Sequence, residues 1–499
     1  MVTCLPVSVL YAQKDFNLAD YKNPDYKWRS LDFGFSLSGS GSSLKNTFEK
    51  ISKNKNNQSQ YGSGLNIGYR SVRNSAIYQG EQNYSFSSTF GGIINKTSFS
   101  GADPAVPGDV ESTHKQNSQS LRMEISSENR FYNNKKLFLE VNPNFSGNYG
   151  NDNSEETSNN EVYPFPYKSQ RNNYLLRASL PVLIGKGRIE DVKDARLAVY
   201  ILEDLQKTGN IKGNVSNEDI QAFSRFITQT KNQRFFDSRI RKIAEITAID
   251  SFLTVKGLKN QSGASYYTLL NDNWDNSTGP ARSAGNRFSF GIKPDFLSSY
   301  LKLFDSYRDT LPGMVNTISY NNERNSRLNS LGLDVVAGFV SEKPINLYWQ
   351  RSANIDLSYS LHKGKSLSKF YERDSLISEQ KNIFDNPDIA FALGYGLGYF
   401  PDSRTSIRLR ADASFVQSWG DNKYNDDPKQ EREQTGINTG LNLQCSYYFS
   451  PQLRFLVNVR SNYIYSKQTL KGIDGGEDNV SKLNNLNSNI NASFIYSIF

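Results

Sequence analysis

No segment of this chain holds eighteen consecutive apolar residues, yet apolar residues recur at every second position in one segment after another. Together these two facts constrain the fold more than any other feature. A membrane-spanning helix needs about twenty mostly apolar residues, so none is expected. Strict alternation instead predicts strands with two unlike faces. Leu31, Phe33, Phe35 and Leu37 alternate with Ser30, Asp32, Gly34 and Ser36. Ile407, Leu409, Ala411, Ala413 and Phe415 alternate with Ser406, Arg408, Arg410, Asp412 and Ser414. Leu453, Phe455, Val457 and Val459 alternate with Arg454, Asn458 and Arg460.

A soluble β-sandwich alternates too, and composition separates the two readings. Only 37% of the 499 residues are apolar, while 13% are aromatic. Mean hydropathy is −0.62. Disordered chains lack aromatics, and soluble cores need more aliphatics. In a transmembrane barrel only alternate residues meet lipid, so the chain stays polar on average. Trp28, Tyr132, Tyr149, Trp349, Tyr399, Phe400, Trp419, Tyr447, Tyr448 and Phe449 collect at strand ends. Rings with a polar edge favour a membrane–water interface there. The net charge of +8 is spread along the chain, without a basic block. No nucleic-acid partner is therefore expected.

Short turns alternate with long polar connections. Turns are predicted at Gln79–Glu81, Asn133-Asn134, Ser341–Pro344, Pro401–Ser403 and Ser450–Gln452. Long connections are predicted over residues 41–60, 100–117, 150–172, 269–285, 362–387, 420–433 and 468–484. The fold expected is an all-β transmembrane, antiparallel barrel of about sixteen strands (fourteen to eighteen), the even-numbered arrangement of bacterial barrels. The strand pattern is weakest over residues 297–326, where Leu303 to Tyr307 read as strand or amphipathic helix.

One segment breaks the alternation. Over residues 187–256, Val192, Ala195, Val199, Leu202 and Leu205 have helical spacing. Ser216 and Asp219 resemble a capping box with Asp in place of Glu. Ile220, Phe223, Phe226 and Ile227 form a second stripe, and Ile240, Ile243, Ile246, Ile249 and Leu253 a third. Three amphipathic helices can bury one another's stripes. Six strands precede them, and an even count returns the chain to the side where it began. The division expected is 1–12 signal peptide, 13–186 and 257–499 barrel, and 187–256 a helical periplasmic insertion. Arg234, Phe235, Phe236, Asp237 and Arg239 are the candidate surface of a plug or docking domain.

Little catalytic chemistry is predicted. No phosphate loop, zinc-ligand spacing or nucleophile elbow is present, and neither cofactor nor metal is expected. The two histidines are His114 and His362. His114 with Ser118 or Ser120 is the nearest candidate for an acyl hydrolase, the weakest of three functional readings. Arg408, Arg410, Asp412, Arg454 and Arg460 should share the lumen face, where the arginines either favour anionic and sugar-like solutes or pair with Asp334, Asp356 and Asp412.

Val7–Leu10 followed by Tyr11-Ala12-Gln13 reads as the end of a short secretory signal. Cleavage there would leave Cys445 alone and no disulfide framework. With the Ala12-Gln13 region, the Asn-, Tyr- and Lys-rich strands and the C-terminal Phe499, the chain resembles the outer-membrane barrels of Bacteroidota. The resemblance implies outer-membrane lipid as surroundings. Two functions then stand open: a pore for hydrophilic solutes or polymers gated by the helices, or a barrel subunit with periplasmic or outer-membrane protein partners.

Overall fold

The computed structural model describes all residues except 1–15, 49–51, 102–109, 160–165, 213–214, 234–237, 276–281, 310–317, 426–427, 451–452, 473–476 and 497–499. The segment 1–12 expected to be a signal peptide, with Cys4 in it, and Phe499 lie outside the described residues. Eight strands come first: β1 (Tyr26–Phe48), β2 (Ser52–Ser75), β3 (Tyr78–Gly101), β4 (Val110–Tyr132), β5 (Leu137–Val141), β6 (Asn144–Ser158), β7 (Pro166–Ser179) and β8 (Val182–Asp191). Four helices follow: α1 (Lys193–Lys207), α2 (Asn217–Lys231), α3 (Ser238–Val255) and α4 (Ala264–Asp275). The rest is β9 (Ser283–Asp309), β10 (Ile318–Pro344), β11 (Trp349–Glu372), β12 (Ser375–Tyr399), β13 (Thr405–Tyr424), β14 (Gln430–Tyr448), β15 (Leu453–Leu470) and β16 (Asn479–Tyr496).

These sixteen segments form one antiparallel sheet. They occupy fourteen places in it, because β5 and β6 both follow β4, and β7 and β8 both pair with β9. Each pair is one wall strand broken at a proline, Pro143 or Pro181. Proline has no N–H for the ladder. Asn142 mends the first break, its side-chain oxygen accepting from Asn129 N at 3.2 Å. Six wall strands thus precede the helices, the parity expected from sequence.

The sheet curls. Asn23 lies three residues before β1, within about 10 Å of its start, yet it donates to the Asp191 carbonyl at the end of β8 at 2.8 Å. In a flat sheet β1 and β8 would stand about 24 Å apart. The short helical turn Leu18–Asp20 likewise touches β9 and β10. The sheet is therefore wrapped as a barrel wall. Among the described residues its ladders run from β1 to β16, and none joins those two strands.

The two faces are unlike. Leu31, Phe33, Phe35 and Leu37 are 57–74% exposed, and Leu409 and Leu441 stand out on the same side of later strands. The helices meet the short-turn end of the opposite, polar face, at Phe400 and Arg404.

Several expectations need correction. The polar stretches 41–60 and 362–387 are largely strand: Lys45 pairs with Lys55, and Leu367 with Lys381. Polar side chains on both faces hide the alternation there. The second hairpin closes at Arg373 and Asp374, both with positive φ (48° and 62°), the two-residue turn that suits strand twist. Residues 297–326 belong to β9 and β10 wherever they are described. Gln79–Glu81 lies within β3, the turn being at Ala76-Ile77, and Ser341–Pro344 ends β10.

The helical segment runs from Lys193 to Asp275 and not over 187–256. Residues 187–191 complete β8. A fourth helix, α4, replaces part of the predicted connection 269–285 because Tyr266, Leu270 and Trp274 recur at four-residue spacing and are buried. At the start of α2, Ser216 Oγ accepts from Asp219 N at 3.1 Å. The Asp219 carboxylate returns only to that hydroxyl, at 2.9 Å. Its side chain is one methylene shorter than the Glu of a full capping box.

Candidate functional site

The site that the fold builds is the polar inner wall and the helical domain seated on it. The domain has its own core. α1 is buried on nearly every side, with Ala195, Ala198, Ile201, Leu202 and Leu205 each at 0% exposure. Ile220, Phe223 and Ile227 of α2, Ile249 and Leu253 of α3, and Leu270 of α4 close around it. Burying each such side chain is worth about 1.5–3 kcal/mol. Several of the polar groups inside are paired. Asp194 takes Lys231 Nζ at 2.8 Å and Thr228 Oγ1 at 2.8 Å. Glu245 accepts from Trp274 Nε1 at 2.8 Å.

The anchors to the wall are spread along the sheet. Before β1, the buried Tyr21 shares a 2.8 Å hydrogen bond with Thr228 of α2. Burial pushes the Tyr21 hydroxyl far above its usual range, so it stays protonated. Tyr200 of α1 is held protonated in the same way and donates to the Phe400 carbonyl in the β12–β13 turn at 2.7 Å. Arg404 of that turn pairs with Asp272 of α4.

The Phe400 ring gathers three guanidinium groups. Arg282, Arg196 and Arg408 lie 5.3, 5.5 and 5.6 Å from its centre, close enough for attraction to the ring face. The ring rests over Gly398, where a Cβ would come within 2.6 Å of it. Arg282 is 1% exposed. Its Nη2 donates to the carbonyls of Asn346 and Trp349, each at 2.9 Å, and its Nη1 to Leu347. Burial, with Arg196 beside it, pulls the guanidinium down to about 10, still charged at neutral pH. Nothing in the local sequence marks Arg282 as the clamp between the helices and the β10–β11 turn.

The predicted lumen row shares one face. Arg408 pairs in register with Gly398, Asp412 with Gly394, Arg410 with Asn442, and Asn442 with Arg460. Phe400 and the helices meet this face at Arg408. Of the arginine pairings expected from sequence, one is seen among the described residues. Arg410 pairs with Asp412 at 2.7 Å, whereas Asp334 takes Lys293 and Asp356 takes Asn354 Nδ2. Arg454 reaches the Tyr448 hydroxyl at 3.4 Å. Arg410, Asp412 and Arg460 line a recess of ≈ 350 Å³ with Asn354, Asn442 and Asn462.

The structure does not bring His114 and its serines together. All three lie on β4, and four strand residues span about 13 Å. Arg234, Phe235, Phe236 and Asp237 lie outside the described residues, and Arg239 falls in the first turn of α3. A further group on the inner wall, Asp295, Asp334 and His362, comes from three neighbouring strands. Its meeting depends on strand register, which no local pattern announces.

No protein-family model matches the sequence, and no curated protein does. Two solved structures are similar at a low level. One is the translocator domain of the autotransporter NalP from Neisseria meningitidis, at 9% identity over 81% of this chain and 89% of that one, with a TM-score of 0.22. The other is the CymD monoaromatic hydrocarbon channel, at 10% identity over 95% and 89%, with a TM-score of 0.11. Superposition this poor carries no weight beside the ladders and contacts above.

Proposed function

We propose that the chain is an outer-membrane barrel that passes hydrophilic solutes, and that its helical domain constricts the mouth at the short-turn end. The observation that carries the reading is the seating of that domain. It is held at the polar face by Tyr21, the carbonyls of Arg282 and Phe400, and Arg404, from before β1 to the β12–β13 turn. A domain so anchored lies across the mouth. The exposed apolar face supports the membrane half of the proposal, since soluble monomers rarely expose more than a few hundred Å² of contiguous apolar surface. The Arg- and Asn-lined recess suits polar and anionic solutes. A non-enzymatic pore needs no further chemistry, and none is proposed. The even number of wall strands before the domain supports a periplasmic placement for it.

A second reading has one observation in its favour. α3 leaves Ile243 63% and Val255 87% exposed, which suits a helix that docks a protein partner. Planar-bilayer recording separates the two. The full chain should conduct little. A variant with residues 193–275 replaced by a short linker, and still running as a folded heat-modifiable band, should conduct severalfold more. If neither chain conducts, the pore reading fails and the assembly-subunit reading takes its place.

A further inference from the structure

We propose that Asp295, Asp334 and His362 form a binding site for one divalent transition-metal cation of the Zn²⁺ type on the inner wall. Asp295 is on β9, Asp334 on β10 and His362 on β11. Gly332 of β10 lies in register with both Asp295 and His362. The two side chains lean together over it. A Cβ at 332 would stand 2.1 Å from Asp295 Oδ1 and 2.6 Å from His362 Nε2. The bare glycine therefore makes the space in which the donors meet.

The donor geometry fits a metal. His362 Nε2 is 3.3 Å from Asp295 Oδ1 and 3.7 Å from Asp334 Oδ1. Bonds of about 2.0–2.2 Å to a tetrahedral Zn²⁺ place its ligand atoms roughly 3.3–3.6 Å apart. All three donor atoms lie within 4.8 Å of one another. Asp334 is 5% exposed, and both its Oδ1 and that of Asp295 are buried without a hydrogen-bond partner. A buried carboxylate oxygen left so is costly, and a cation between the two offsets that cost.

The surroundings hold the donors in place. Lys293 Nζ takes the other Asp334 oxygen at 2.9 Å, leaving Oδ1 for the metal. Asp388 Oδ2 stands behind the imidazole, 3.9 Å from Nδ1, too far for a hydrogen bond but near enough to add negative charge. Three carboxylates against one ammonium leave an excess of negative charge for a dication. One nitrogen and two oxygens suit Zn²⁺ or Co²⁺ better than Mg²⁺ or Ca²⁺, which favour all-oxygen sets. A cavity of ≈ 680 Å³, lined in part by Lys293, Asp295, Asp334 and His362, leaves a way in and an open fourth position.

The test uses the full chain without a histidine tag, folded in detergent and cleared of metal by chelation. Co²⁺ titration should give visible bands of a low-coordinate site at about one equivalent, bleached by Zn²⁺. His362→Gln and Gly332→Ala should each weaken binding at least tenfold, and His114→Gln should leave it unchanged. Gly332→Ala removes no donor and only fills the space. X-ray absorption of the Zn²⁺-loaded wild type should show a single imidazole, a readout that needs no variant. The proposal is overturned if the wild type takes up no Co²⁺. It is equally overturned if His362→Gln and Gly332→Ala bind as the wild type does, or if absorption shows no imidazole.

Discussion

Arg282, one residue before β9, ties three backbone carbonyls around the β10–β11 turn to the start of α1, because its own carbonyl accepts from Val192 N at 2.7 Å. A buried acceptor stripped of its donor costs about 1–3 kcal/mol. Arg282→Ala should therefore loosen the junction by roughly 1–3 kcal/mol, read as a lower midpoint for loss of helical circular dichroism. Arg282→Lys keeps the charge but not the planar fork, and should recover only part of it. An unchanged midpoint in both would remove the clamp from the account. At this scale the sequence was partly readable. Arg408, Arg410, Asp412 and Arg460 could be assigned to one face because alternation alone decides faces. Arg282, Phe400 and the Asp295–Asp334–His362 group could not, because their partners are 50 or more residues away or on neighbouring strands whose register is set by the whole sheet.

Among the elements, the helices α1 to α3 were legible from their stripes, and α4 was not. Its stripe of Tyr266, Leu270 and Trp274 sits among Asn, Asp and Ser residues that read as loop. The outer halves of the strands were missed for a related reason, since Lys45–Lys55 and similar polar pairs carry no period. α4 is held to α3 by Asp250, which takes Lys259 Nζ at 2.6 Å and the Tyr266 hydroxyl at 2.7 Å. Burial works against the charged form of Asp250, but these two hydrogen bonds outweigh it and hold the carboxyl below its ordinary value. A carboxyl whose folded-state value is depressed adds stability above the ordinary Asp range, near 3.9. That stability is lost as pH falls through the folded value. Thermal melts of the helical signal should therefore fall below about pH 4, and Asp250→Asn should blunt that fall. An equally steep acid loss in the variant would assign it to other carboxylates.

The whole molecule turns on which solvent each face of the wall meets. Curling puts the polar row inside, with the helices at its short-turn end, and it leaves Leu409, Phe415 and Leu441 exposed on the other face. Strands of up to 27 residues exceed the about 9–11 that a bilayer crossing needs, so the polar ends of the wall stand clear of the apolar layer. The class of fold could be read from the chain because alternation, strand number and parity are properties of many residues at once. The most direct test places nitroxide labels one at a time at residues 407 to 412, in a chain with Cys4 and Cys445 replaced and reconstituted in liposomes. Collision with oxygen should peak at 407, 409 and 411, and collision with a water-soluble nickel complex at 408, 410 and 412. Equal access of the nickel complex to all six positions would contradict a membrane-spanning wall.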